Sequence, residues 1–499
     1  MERIKRAFGV SRREAVRAIA GAAGLGLASG AHAARRTDVD WPTLRGKVRG
    51  EVVLKGNARY ESVRTGLLWN GRKVERRPEA IVQAACVEDV QEAVRFAGRR
   101  GLKVAVRGGG HSWCGSSMRD GGVLIDLGRF RELRIDAEAR LASAQPAVTN
   151  GELAEALTPL RLAFPIGHCP SVPLSGYILN GGFGWNSGSW GPACANLVEM
   201  ELVDAHGELV RASETENADL FWAARGAGPG FFGIAVRYHL RLHPLPRGIF
   251  TAVSMYPLAA SRQIGQWLAS LAPNLRREVE VACMVMSAPP DLPPEIAGPH
   301  GRVIAIFATA FASGREEAEQ WLAAIEAGPG NVPRWRVPLE ETPFAALLAA
   351  HGAMFPQGRR FGADVFWCNT GPADVLGRLR ACVESAPSPE SFGMLVLVPP
   401  PPPGMDPMAM ALSMASPVFA GVIGVWQSPG DDAANQAWVR AGTERLMPVT
   451  VGHYVGETDL TAHRDRARRS FAEANWERLM ALKAKHDPAG VFHTFLGPA

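Results

Sequence analysis

The sequence predicts an α+β fold in two parts, on three observations. Between residues 41 and 247, short strand-like runs and helical stretches are separated by glycine-rich turns. Between about 248 and 445 the character changes. Long helical patterns at 261–271 and 316–325 alternate with apolar strand-like runs at 279–286, 303–311 and 394–398. That alternation suits an antiparallel sheet with helices on one face. Beyond residue 33, no apolar stretch is long enough to span a bilayer.

Residues 1–33 read as an export signal. Arg3, Lys5 and Arg6 come first, followed by Ser11-Arg12-Arg13. An apolar Gly/Ala-rich run at 18–30 and Ala31-His32-Ala33 complete a basic region, a short hydrophobic region and an A-x-A cleavage site. The paired arginines point to twin-arginine export, and so to a periplasmic or secreted protein. The alternative is an amphipathic helix that stays attached. The full chain of 499 residues carries 54 Lys/Arg against 49 Asp/Glu, a net +5. The first 33 residues hold six basic and two acidic side chains, so the remainder carries about +1. That balance gives no case for nucleic acid, and no aromatic-interleaved basic stripe is present. No membrane contact is expected once the signal is removed.

After the signal, an entry to a strand is expected at 77–82. A helix follows from Val87, with Val90, Val94 and Ala97 on one face and Gly101 ending it. A strand at 102–106 then delivers the loop Arg107-Gly108-Gly109-Gly110-His111, and Ser112, Gly115 and Ser116 follow before a second apolar run at 123–127. Three glycines let the backbone approach a ligand closely and take positive φ. Successive N–H groups in such a turn can form a nest for a phosphate. The bland alternative is a tight turn with no ligand. The Rossmann fingerprint is absent, since no G-x-G-x-x-G opens a helix here.

A helix is expected around 151–160, and a hairpin joins 196–203 to 208–212. A further helix at 219–225 ends in a glycine loop, and a strand starts at Gly233-Ile234. On that strand Val236, Tyr238 and Leu240 alternate with Arg237, His239 and Arg241. His239 and His243 therefore sit on the polar face of a strand rather than on a helix presenting two metal ligands, and no metal site is expected. The seven cysteines are odd in number and include no C-x-x-C. Disulfides are permitted in a periplasm, but at least one thiol is left over.

A second glycine-rich stretch, Gly167-His168-Cys169-Pro170-Ser171-Val172, runs into Gly176-Tyr177 and Asn180-Gly181-Gly182-Phe183-Gly184. Together with the GGGH loop it resembles the berberine bridge enzyme-like FAD-linked oxidases of the vanillyl alcohol oxidase and p-cresol methylhydroxylase (PCMH) superfamily. The resemblance covers nearly the whole chain after the signal. It implies a PCMH-type FAD-binding domain at 34–247, a substrate domain at 248–450 and a C-terminal segment at 451–499 returning to the first domain. It implies FAD as cofactor, bound through two covalent links, from His111 and from Cys169. Arg107, Gly108, Gly109, Gly110, Ser112, Gly115, Ser116, Val172, Gly176, Gly181, Gly182, Gly184, Asn196, Gly233 and Ile234 are the expected cofactor contacts. Asn475 and Trp476 join them by resemblance to the family's C-terminal signature. Twin-arginine export carries folded proteins, which suits an enzyme that loads its cofactor before transport.

The resemblance also implies a reaction. An exported oxidase would take hydride from an alcohol or sugar C–OH group and reduce oxygen to hydrogen peroxide. Val172 matches a position thought to lie near the flavin's oxygen-reactive carbon. His453-Tyr454-Val455-Gly456-Glu457-Thr458-Asp459 resembles the family's Tyr-x-Asn-x-x-Asp segment, so Tyr454 and Asp459 are the expected catalytic pair. The chain departs from the pattern at Pro173, Ser175, Tyr177, Asn180, Trp190 and Gly456. A dehydrogenase or oxidative cyclase using another acceptor or substrate, and a non-catalytic binding protein on a degenerate scaffold, are the alternatives. Expected partners are a small-molecule substrate, oxygen and the twin-arginine export machinery.

Overall fold

The computed structural model describes residues 39–496, so the export signal expected over 1–33 lies outside the described residues. Residues 48 onward form one compact unit, and the residues before them belong to another. The described part of the earlier unit holds the short helix Trp41–Arg45, whose first turn is capped by the Asp40 carboxylate accepting from the Thr43 N–H. No helix among the described residues is long and apolar enough to cross a membrane.

The first sheet of the later unit has four strands, in the order Glu51–Leu54, Ala80–Gln83, Val123–Asp126, Val104–Arg107. The first pair is antiparallel and the other two are parallel. The helix Val87–Arg99 lies between two of these strands in sequence and buries Val90, Ala93, Val94, Phe96 and Ala97, the face its spacing predicts. The strand expected at 102–106 runs instead from Val104 to Arg107 and holds Arg107 in register with Asp126. The C-terminal segment returns here. Val104 donates to the Val491 carbonyl at 2.8 Å, and His493 donates to the Val104 carbonyl at 2.9 Å.

The second sheet is antiparallel, in the order Leu133–Asp136, Leu141–Ala144, Ile234–Arg241, Leu197–Val203, Leu209–Ser213. Val236, Tyr238 and Leu240 are buried, as the alternation predicts. His239 faces Glu199 and Glu201 on the neighbouring strand. The helix Asn150–Leu157 begins with a capping box between Thr149 and Glu152.

The third sheet has eight antiparallel strands. Their order is Trp335–Glu341, Gly248–Pro257, Arg302–Ala312, Val279–Ser287, Phe392–Leu397, Val418–Trp426, Arg360–Cys368, Thr450–Gly452. Helices Ser261–Leu271, Arg315–Ala327, Pro372–Val383 and Asp432–Leu446 pack on one face, and an extensive core cluster lies between them and the sheet. It contains Ile264, Leu268, Leu322, Leu376 and Leu379 from the helices against Val281, Ile306, Leu395 and Val422 from the strands. The mixed α+β architecture with helices on one face of an antiparallel sheet is therefore present.

Candidate active site

The GGGH loop begins where the strand Val104–Arg107 ends, and its glycines are demanded by neighbouring chain. A Cβ on Gly108 would stand 1.8 Å from Ser175 Oγ, and one on Gly109 1.9 Å from Pro173 Cγ. Gly110 has φ +68°, and its Cβ would meet the Leu67 carbonyl at 1.9 Å. The loop can therefore lie flat on the Pro173–Ser175 turn only without side chains. Arg107 does not reach the cavity beside the loop. Its guanidinium donates to Asp126 at 3.0 Å, to the Leu67 carbonyl at 3.1 Å and to the Gly109 carbonyl at 3.0 Å. It braces the loop from within.

His111 projects from this loop into the cavity. Its ring stacks on Trp69 with centroids 4.1 Å apart. Its Nε2 lies 2.9 Å from Ser171 Oγ. Burial, with the Arg107 charge nearby, pushes its pKa down to about 3, so the imidazole is neutral at ordinary pH. Ser171 Oγ is also 3.3 Å from Cys169 Sγ. One hydroxyl thus bridges the two side chains expected to anchor a cofactor. Burial raises the Cys169 pKa and keeps it a thiol. All seven cysteines are free.

The opposite wall comes from the segment after the strand Thr450–Gly452. Tyr454 is buried, and its hydroxyl accepts from the Gly182 N–H at 3.1 Å. Burial, reinforced by the Glu457 charge, raises its pKa, the wrong direction for a base. Asp459 lies outside the cavity. Its carboxylate accepts from the Thr461 N–H at 2.9 Å and the Thr461 hydroxyl at 2.5 Å, beside a separate small cleft lined by Arg72, Cys114 and Gln436. Glu457, between the two, lines the cavity. Burial pushes its carboxyl up to about 7, and the His168 imidazole draws it partly back.

The structure brings Gly108, Gly109, Gly110, His111, Ser112, Ser116, Val172, Gly176, Gly233, Ile234 and Tyr454 to one cavity. It does not bring Arg107, Gly115, Cys169, Gly181, Gly182, Gly184, Asn196, Asp459, Asn475 or Trp476 to that lining, although Cys169 is one hydroxyl away from it. Asn196 instead bonds the Trp190 and Pro192 carbonyls and the His243 ring. Asn475 donates to the Met410 carbonyl, and Trp476 packs on Phe471 and Phe495. Trp113, Arg119, Asn180, Glu457 and His493 line the cavity and were not among the expected contacts.

These residues fit an FAD. Asn180 Oδ1 and Ser117 Oγ are buried, line the cavity and have no hydrogen-bond partner among the described residues. Such orphaned atoms call for a polar ligand. Arg119, whose pKa burial lowers only to about 10, remains a cation in the lining and suits a phosphate.

A family profile described as FAD binding domain matches residues 78–213. The FAD-linked oxidoreductase nodO of Hypoxylon pulicicidum is 29% identical over 435 residues, covering 86% of this chain and 93% of its own. Two solved structures share the fold. BBE-like 1 of Physcomitrella patens has a TM-score of 0.77 at 21% identity, over 91% of this chain and 97% of its own. The berberine bridge enzyme of Eschscholzia californica has a TM-score of 0.75 at 20% identity, over 93% and 99%.

Proposed function

We propose that this chain, which is a berberine bridge enzyme-like FAD-linked oxidoreductase, is an exported oxidase that takes hydride from an alcohol or sugar C–OH group and reduces oxygen to hydrogen peroxide. The observation that carries the reading is Glu457, a half-buried carboxyl with its pKa pushed up to about 7, in the same cavity as His111 and Val172. A general base works best when its pKa lies near the working pH. Tyr454 then supports the segment through Gly182, and Asp459 holds Thr461.

FAD, when bound, accepts the hydride and passes both electrons to dioxygen. Glu457 takes the hydroxyl proton as the hydride leaves the carbon. His111 and Cys169 would hold the cofactor covalently, with Ser171 between them. The glycine loop and Arg119 would hold its polar parts, and Asn180 Oδ1 would accept from one of its donors. Export through the twin-arginine machinery accords with the paired arginines at Arg12-Arg13.

Oxygen uptake by the purified full chain over a panel of alcohols and sugars tests the reading, with peroxide measured in parallel. Uptake with stoichiometric peroxide, lost in Glu457→Gln, supports it. Reduced flavin that persists for minutes in air-saturated buffer contradicts the oxidase.

A further inference from the structure

The eight-stranded sheet has two faces of different chemistry. Helices cover one. On the other, the register aligns Phe307, Ala282, Val396 and Phe419 in one cross-strand row. Ala305, Met284, Met394 and Gly421 form the next. Along the strands Val279–Ser287, Arg302–Ala312, Arg360–Cys368, Phe392–Leu397 and Val418–Trp426, this face carries a single ionisable side chain, Glu280.

This face meets the cavity's lining. Phe361 stacks on Trp69 at 5.0 Å, and Trp69 stacks on His111. Phe361 also packs 5.2 Å from Trp113, which lines the cavity. Met286, Phe307 and Met394 remain partly exposed on the sheet, as do Trp69, Trp113 and Phe355 beside it.

Glu280 is engaged on both oxygens. Oε1 accepts from the Asn186 N–H at 2.5 Å, and Oε2 lies 3.1 Å from His168 Nε2. A lone carboxylate on an apolar face needs such partners. Their effect is to fix His168, the residue before Cys169. The His168 ring lies 4.3 Å from buried Trp185 and 5.9 Å from His351, yet its side chain keeps 40% exposure. Its titratable neighbours are Glu280, His351, Glu457 and, on its own loop, Cys169.

We propose that the substrate is a largely apolar, ring-bearing alcohol lying on this face, and that His168, held by Glu280, is the specificity residue that receives its polar group. The inference rests on the hydride-accepting reading of the cavity and narrows its donor. A sugar can stack its C–H face on an aromatic ring, but its ring of hydroxyls needs polar partners at the rim. The hydroxyl- and carboxylate-bearing side chains of this face form a single row, Glu280, Thr309, Thr251 and Glu340, in which Glu280 and Thr251 are already engaged and Thr309 is buried. Buried hydroxyls left unpaired oppose binding, whereas a flat ring against Met and Phe side chains does not meet that cost.

Calorimetric titration of the flavin-loaded full chain with naphthol, and separately with cellobiose, tests this. Naphthol binds and cellobiose gives no heat. His168→Ala weakens naphthol about tenfold, the loss of one hydrogen bond, while His168→Gln restores most of the affinity. Phe307→Asn weakens it without touching His168. Cellobiose binding with naphthol silent, neither ligand binding, or unchanged naphthol affinity in His168→Ala overturns the inference. Anaerobic bleaching of the flavin by naphthylmethanol reads the reaction separately. Naphthol binding without bleaching counts against the oxidase and leaves the binding chemistry supported.

Discussion

The hydroxyl of Ser171 stands 2.9 Å from Nε2 of His111, 60 positions away along the chain. The same oxygen is 3.3 Å from Cys169 Sγ. The two side chains expected to attach the flavin are therefore already gathered around one hydroxyl by the protein. The expected outcome is two covalent links in the flavin-loaded chain and one in each of His111→Ala and Cys169→Ala. Only the double variant releases all its flavin on denaturation. In-gel flavin fluorescence and peptide masses check this.

Glu457→Gln removes the only group proposed to take the substrate proton. Turnover falls by about 10²–10⁴, the usual weight of a general base. The parent enzyme gains activity as pH rises through about 7, because only the carboxylate accepts a proton. That limb disappears in the glutamine variant. Stability moves the other way. A carboxyl whose folded pKa is raised stabilises the fold below its ordinary range, and the benefit is lost as pH rises through about 7. Melting temperature therefore falls across that window in the parent and stays flatter in Glu457→Gln.

Tyr454→Phe leaves the buried Gly182 N–H without its acceptor. Stability drops by about 1–3 kcal/mol, measured by denaturant titration. Turnover persists and the pH profile does not shift. A collapse in turnover at unchanged flavin content would return the proton transfer to the tyrosine.

Asp364 and Arg466 form a buried ion pair at 2.9 Å, and the same carboxylate accepts from the Thr443 and Thr458 hydroxyls and the Asp459 N–H. The pair ties the cavity's 453–460 wall to the sheet. Asp364→Ala strands a buried guanidinium, at a cost of about 3–5 kcal/mol. Chemical denaturation reads the loss, and flavin occupancy falls with it.

Val172 lines the cavity with a small side chain. If dioxygen approaches past it, Val172→Ile slows reoxidation of the reduced enzyme and leaves anaerobic reduction by substrate unchanged. Stopped-flow measurement of the two half-reactions distinguishes them.

Local pattern made some of this legible. The helix Val87–Arg99 followed from its spacing, and the GGGH loop from a strand broken by three glycines. The strands Arg360–Cys368 and Val418–Trp426 carry no period-two signal, because they are buried on both faces: Val418–Trp426 is an apolar run without alternation, and Asp364 interrupts the apolar pattern of Arg360–Cys368. Arg107 is an expected cofactor contact by resemblance alone, and its register with Asp126, which turns it inward, is a tertiary fact. Glu457 lies between Tyr454 and Asp459, the two residues that match a family motif, and matches none itself. What sets it apart is its place in a cavity lined by segments distant in sequence, where its carboxyl is pushed up to about 7.

The most direct test of the central claim is an absorption spectrum of the purified chain, repeated on the pellet and supernatant after acid precipitation. The account predicts a flavin spectrum that stays with the pellet in the parent chain and passes wholly to the supernatant in the His111→Ala, Cys169→Ala double variant. A parent chain whose colour passes to the supernatant contradicts covalent attachment. A chain that stays colourless after incubation with FAD contradicts the flavin site itself.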